Sequence, residues 1–154
     1  MVTWGTSNTE PERRAIDAGG FWPALDSGDF YDAYSIPAEL PASTVIGHLR
    51  QSIICVRRAL AEWKAEQENL GCAALTEVPQ DSVDGQGELT LLWFRAVFCE
   101  AKAELLKETS TINRREVAEN AAKSSEETEE KYREFSQDAI RAICGMARIS
   151  IELI

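Results

Sequence analysis

The chain has one histidine among its 154 residues. That excludes a His-rich metal site, a di-iron bundle built on two Glu-x-x-His repeats, and any mechanism that needs two imidazoles. Cysteine is also sparse. Cys55, Cys72, Cys99 and Cys144 show no C-x-x-C spacing, so they read as neither a zinc site nor a disulfide framework. Cys55, Cys99 and Cys144 stand beside apolar residues in helical patterns, and small buried thiols are expected there. Positive charge is scarce: 16 Lys and Arg face 26 Asp and Glu, a net charge of −10. A protein that draws its affinity from nucleic-acid phosphates needs a basic face, so that class is disfavoured. No apolar run reaches the roughly 18 residues needed to cross a bilayer, so no membrane association is expected. Met1–Glu10 lacks the basic start and apolar centre of a signal peptide, which points to a reducing cytosol. There is no Gly-x-Ser-x-Gly, Walker or dinucleotide-binding motif and no evident nucleophile–base pair. Neither catalysis nor a cofactor is expected.

What is present is organised unevenly. Residues 1–42 hold four of the five prolines and carry seven acids against two arginines. Their aromatic residues cluster at Phe21-Trp22-Pro23 and at Phe30-Tyr31-Asp32-Ala33-Tyr34. Disordered tails are poor in aromatics, so this reads as an extended arm with aromatic anchors. Phe21, Trp22, Phe30, Tyr31 and Tyr34 either cover the edge of the chain's own core or dock on a neighbouring molecule. Asp26 or Ser27 can cap one short helix ahead of Pro37.

From Pro41 the pattern turns helical. Ile46, Leu49, Ile53, Val56, Leu60 and Trp63 form one apolar stripe, which predicts a helix over 43–70 with Ser43 or Thr44 as cap and Gly71 as stop. Residues 71–87 are turn-rich, with Pro79, Asp84-Gly85 and Gly87. A calcium loop fails there, because Gln80, Ser82 and Leu91 would fall at ligand positions. A second helix is predicted over 88–108, ended by Thr109-Ser110-Thr111. A third is predicted over 114–145, acidic at first, with a break near Ser124-Ser125 and a stop at Gly145. The last residues, Arg148-Ile149-Ser150-Ile151-Glu152-Leu153-Ile154, alternate in the manner of a strand, with no second clear strand to pair with. Either the segment folds back on the helices or it adds to a partner's sheet. The expected architecture is all-α: a small bundle of three main helices and a short N-terminal one (43–145), an extended arm (1–42) and an extended tail (146–154). A different function class also fits, a free helical adaptor or phosphotransfer module acting through His48, since imidazole is a good phosphoryl acceptor.

An ordered series of motifs adds information. Phe21-Trp22-Pro23-Ala24-Leu25-Asp26 is followed by Leu49-Arg50, Ala61-Glu62-Trp63, and Leu75-x-x-Val78-Pro79-x-x-x-Val83-Asp84-Gly85. Arg95-Ala96-Val97 and Arg141-Ala142-Ile143 complete it. Over roughly residues 21–154 the chain resembles the head completion proteins of P2-like tailed phages, the gpL type. Trp93-Phe94 stands where that family more often has a tyrosine-containing pair, and Ser110–Asn120 is more helix-like than the usual turn. The resemblance implies a non-enzymatic head–tail connector in the virion neck, assembled in the host cytoplasm. It implies a ring of twelve copies on the portal protein of a DNA-filled capsid, which retains the genome and offers a platform to a tail-completion or tail-terminator protein. Genomic DNA would pass through without sequence-specific binding. The resemblance further implies that Arg148–Ile154 bind the portal and that the arm embraces a neighbouring subunit. It makes Trp63, Val78, Pro79, Asp84, Gly85 and Arg95 the family's structural pattern.

Overall fold

A computed structural model describes residues 10–113 and 120–146, with side chains over 10–110 and 128–146. A small antiparallel pair, β1 (Ala15–Ile16) with β2 (Leu25–Asp26), is followed by α1 (Ser27–Ala33). Then come α2 (Ala42–Ala59), α3 (Ala61–Asn69) and one 3-10 turn at Leu75–Glu77. A second pair, β3 (Ser82–Val83) with β4 (Gln86–Gly87), leads into the two long helices α4 (Glu88–Asn113) and α5 (Asn120–Ile143). The chain is thus mostly helical, with two two-stranded sheets that an all-α reading leaves out.

Helix α4 is central, packing against both α5 and α2. Its centre is apolar on successive positions, so Ala96, Val97, Phe98 and Cys99 are all buried. A helix buried all round needs no single stripe, which is why Phe98, Ala101 and Leu105 join the expected Trp93 and Val97 in the core. Ser136 of α5 reaches across to donate to the Ala96 carbonyl at 2.8 Å, so its buried hydroxyl is satisfied.

Several boundaries differ from expectation for identifiable reasons. The helix predicted over 43–70 is interrupted at Leu60, although Leu60 N–H still bonds the Val56 carbonyl and Lys64 N–H the Leu60 carbonyl. Leu60 is wholly buried and ends the core-facing stripe; α3 buries no residue fully. Neither Ser43 nor Thr44 caps α2. Its first turn closes on the Pro41 carbonyl, which accepts from Thr44 and Val45 N–H. Thr109 and Ser110 do not end α4, because their hydroxyls bond back to the Leu105, Leu106 and Lys107 carbonyls of the same helix. Helix α5 runs unbroken through Ser124-Ser125. Cys99 is buried as expected, but Cys144 is only half-buried and Cys55 is exposed on the outer face of α2.

Other signals are met. Asp26 caps α1 through Oδ1, which accepts from Gly28 N–H at 2.7 Å. Gly71 ends α3 at φ +94°, with Cys72 N–H on the Gln67 carbonyl and Gly71 N–H on that of Glu68, both at 3.0 Å. That is the Schellman pattern, and Gly145 repeats its hydrogen bonds after α5. Asp84-Gly85 turns the β3–β4 hairpin with both residues at positive φ, as a type I′ turn requires.

Residues 10–42 differ most from expectation. From residue 10 onward the segment is folded onto the helices and does not extend from them. Phe21, Trp22, Phe30 and Tyr31 are at most 6% exposed. They belong to this chain's own core, the first of the two alternatives the sequence allowed. The placement of these four rings corrects the expectation that they reach a neighbour.

Candidate functional site

Two aromatic clusters tie the N-terminal segment down. In the first, Trp22 stacks on Trp93 of α4, with ring centroids 4.5 Å apart and planes 18° apart. Trp22 also faces Trp63 of α3 at 6.3 Å, and Phe21 meets Trp22 edge-on at 4.9 Å. Trp93 Nε1 donates to the Pro23 carbonyl at 3.1 Å, and Leu75 N–H donates to the Phe21 carbonyl at 2.9 Å. In the second cluster, Phe30 stacks on Phe98 at 5.4 Å, and half-buried Tyr34 lies between Phe98 and Tyr132. The Tyr34 hydroxyl meets Cys99 Sγ at 3.7 Å, and burial pushes both groups' pKa values up. Neither group is ionised near neutrality, and this pair packs without offering a nucleophile.

Five of the six residues of the family-like pattern hold the connection between helices, and the sixth, Arg95, joins α4 to α5. Trp63 closes the first aromatic cluster and Val78 is buried beneath the 71–87 segment. Pro79 precedes Gln80, whose amide is the chief fastener. Gln80 Nε2 donates to the Leu75 and Val78 carbonyls, and Gln80 Oε1 accepts from Leu89 N–H at 2.8 Å. Leu89 lies in the first turn of α4, where backbone N–H groups lack a partner within the helix. Asp84 and Gly85 turn the hairpin. Arg95 lays its guanidinium over Phe135 of α5, 4.9 Å from the ring centroid. Gln80 is the residue the sequence analysis missed; nothing local marks it, because its three partners are brought together only by the fold.

Arg133 of α5 sits among three carboxylates. It bonds Glu100 at 3.0 Å, Glu104 at 2.9 Å and Glu129 at 2.9 Å. The hydrogen bond that Arg133 donates to Glu104 leads in raising its pKa, while burial raises that of Glu100. This is a structural ion network between α4 and α5. His48 Nε2 is engaged by Glu108 of α4, with the histidine side chain 22% exposed. Among the described residues no group of three or more His, Cys, Asp or Glu is arranged to hold a metal ion.

The surface carries the remaining features. Leu70 is 78% exposed, Met146 62% and Val83 57%. Leu70 ends α3, Val83 lies in the hairpin that leads into α4, and Met146 follows α5. Because α4 and α5 run antiparallel and Ala142 lines a cleft with Glu88, Leu89 and Leu92, the hairpin and the end of α5 share one end of the bundle. The chain continues from that end into 147–154. The expected portal-binding residues Arg148, Ile149, Ser150, Ile151, Glu152, Leu153 and Ile154 lie outside the described residues.

The family model for the phage head completion protein (GPL) matches residues 16–154. The chain belongs to this family. The chain is similar to a "Probable head completion/stabilization protein" of Haemophilus phage HP1 (strain HP1c1). It is 28% identical over 139 residues, covering 90% of this chain and 91% of the relative. No solved structure matches significantly. The head completion family thus accounts for nearly the whole chain, from β1 through α5, and assigns it a structural role in the phage head and a place in the virion. No helix among the described residues is long and apolar enough to cross a membrane.

Proposed function

We propose that this head completion protein is a connector subunit that assembles as a ring on the portal of a DNA-filled capsid. There it retains the genome and forms the platform on which a tail-completion or tail-terminator protein is seated. The match of the family model over residues 16–154 carries this reading. Three features of the molecule support it. The interior is occupied by packed aromatic and aliphatic side chains, so the work lies on the surface. The most exposed apolar residues, Leu70, Val83 and Met146, belong to segments around the end from which the chain runs on toward Arg148–Ile154. A net charge of −10 suits a wall that DNA slides past, since like charge repels phosphate.

Twelve copies, a portal partner and passage of DNA without sequence-specific contact are parts of the same proposal. Electron microscopy of the full chain mixed with purified portal tests them together. The expected image is a ring of density below the portal with closed symmetry. Portals that remain undecorated at saturating protein concentration refute the proposal. The alternative through His48 has no observation in its favour, since its Nε2 is already engaged by Glu108.

A further inference from the structure

The hairpin that leads into α4 places two carboxylates face to face. Ser82 pairs with Gly87 in the β3–β4 register, so Asp81 and Glu88 stand opposite each other just beyond it. Their backbones are joined there, with Glu88 N–H donating to the Asp81 carbonyl at 2.9 Å. Like charges directly opposite across a hairpin repel and destabilise it. Both side chains are exposed, and among the described residues neither carboxylate has a cationic partner. With Leu89, Leu92 and Ala142 they line an open cleft of about 490 Å3. An acidic rim beside an apolar wall suits an arginine carried on a peptide. The stem of such a side chain covers apolar surface while its guanidinium pairs with carboxylates.

The chain itself brings a cation to this place. At the end of α5, Met146 N–H donates to the Arg141 carbonyl at 2.9 Å and Gly145 N–H to that of Ala142 at 3.1 Å. The chain therefore turns back on itself, and Met146 stands beside Ala142, a wall residue of the cleft. Arg148 follows two residues on and is the one Lys or Arg in 147–154. Two residues span at most about 7 Å, so the cleft lies within reach of its side chain. We infer that Arg148 seats in this cleft of its own chain, with its guanidinium shared between the Asp81 and Glu88 carboxylates. Side chains alternate along an extended segment, so a seated Arg148 leaves Ile149, Ile151 and Leu153 on the opposite face, free for another chain. Arg148 is then a positioning residue. It fixes where the alternating segment starts and lowers the ordering cost of docking. This inference rests on the reading that the segment docks on the portal, and it assigns Arg148 to the bundle and not to the portal contact.

Two measurements on the full chain test it, the first without portal. Carbodiimide joins an amine to a carboxylate in contact with it. In Arg148→Lys it is expected to link the introduced amine to Asp81 or Glu88 of the same chain, read by peptide mass in the monomer-sized product. Links to other carboxylates alone, or between copies alone, overturn the inference. The second measurement is decoration of purified portal. Arg148→Gln and, separately, Asp81→Asn with Glu88→Gln are each expected to weaken decoration about fivefold, as a partly exposed pairing with two carboxylates warrants. Helical circular dichroism is expected to stay unchanged in both. Because they act on one contact, combining all three changes is expected to cost no more than either set alone. Asp81→Asn with Glu88→Gln that decorates like wild type, while Arg148→Gln does not, overturns the inference and leaves the docking reading standing. Additive losses do the same. If deleting Ile149–Ile154 leaves decoration unchanged, the docking reading falls and the positioning role with it, while the carbodiimide link still reports whether Arg148 is seated.

Discussion

At the scale of single residues, the two buried tryptophans make a matched pair with different chemistry. Trp93 Nε1 has a partner in the Pro23 carbonyl, whereas Trp22 Nε1 is buried and finds none among the described residues. An unpaired buried donor costs about 1–3 kcal/mol, while a made hydrogen bond contributes roughly 1 kcal/mol. Trp22→Phe is therefore expected to be well tolerated, since it removes an unsatisfied group and keeps an aromatic ring on Trp93. Trp93→Phe is expected to be the more destabilising of the two, because it orphans the Pro23 carbonyl. Truncating either ring to alanine is expected to cost about 3–5 kcal/mol. Urea denaturation followed by circular dichroism checks the order, and a Trp22→Phe variant less stable than Trp93→Phe would contradict it.

Arg133 gives a residue-scale prediction that depends on pH. Its guanidinium offsets three carboxylates, and Glu100 is already raised above the ordinary glutamate range by burial. Arg133→Met leaves those charges clustered and partly buried without a cation. Full burial of an unpaired charge would cost about 3–5 kcal/mol. This site is partly open to water, so the expected loss near neutral pH is smaller, about 1–3 kcal/mol. The sign follows from linkage. A carboxyl with a raised folded-state pKa favours folding below its unfolded value of about 4.3, and that contribution is lost as pH rises through the folded value. Without Arg133 the folded value of Glu100 rises further. Destabilisation should therefore be greatest near neutrality and shrink as pH falls toward the ordinary glutamate range. Chemical denaturation at several pH values measures this, and a penalty that stays constant down to pH 4 would contradict it.

At the scale of elements, the Gln80 fastener sets how α4 begins. A Cβ at Gly87 would stand 2.3 Å from Gln80 Oε1 and 2.7 Å from its carboxamide carbon. The glutamine side chain is flexible, yet moving it breaks its bonds to Leu75, Val78 and Leu89 together. Gly87→Ala is thus expected to destabilise by about 1–3 kcal/mol, much as Gln80→Ala does through the groups it leaves unpaired. Because both act on one fastener, the double variant is expected to cost less than the sum of the singles. Additive losses would show that Gly87 acts through something else.

The elements also show what could be read in the chain and what could not. The Asp26 cap, the Asp84-Gly85 turn and the stops at Gly71 and Gly145 are local devices, each determined by two or three neighbouring residues. The stripe from Ile46 to Leu60 is legible because one face of α2 meets the core. The mostly buried centre of α4 is less so, since burial on many sides removes the period that marks a face. Thr109-Ser110 reads as a stop from propensity alone, but its hydroxyls find carbonyls one turn back and the helix continues. The rings of Phe21, Trp22 and Phe30 announce burial without saying against what. Only the tertiary pairing of Trp22 with Trp93 and Phe30 with Phe98 answers that. The surface is the least legible part: Leu70 falls seven residues after Trp63, on the continuation of the apolar stripe, yet it is 78% exposed because the helix is interrupted at Leu60.

At the scale of the whole molecule, the division between a sealed interior and a chain that runs on past Met146 has a consequence that can be measured. The described core is complete without residues 149–154: α5 is already anchored by Ala139 and Ile143, which are buried, and is closed by the hydrogen bonds at Gly145. Removing Ile149–Ile154 therefore takes nothing from the described packing. Its alternating apolar pattern is the kind that gains by pairing with another chain's strand edge, because an unpaired strand leaves backbone N–H and C=O groups without partners. The truncated chain is expected to keep the helical signal of the full chain and a midpoint of urea unfolding within error of it. Its decoration of purified portal is expected to fall at least tenfold. The two measurements separate the outcomes. Lost folding together with lost docking would make the segment part of the bundle. Unchanged docking with unchanged folding would place the portal contact elsewhere, with the exposed end of Leu70, Val83 and Met146 the next surface to alter.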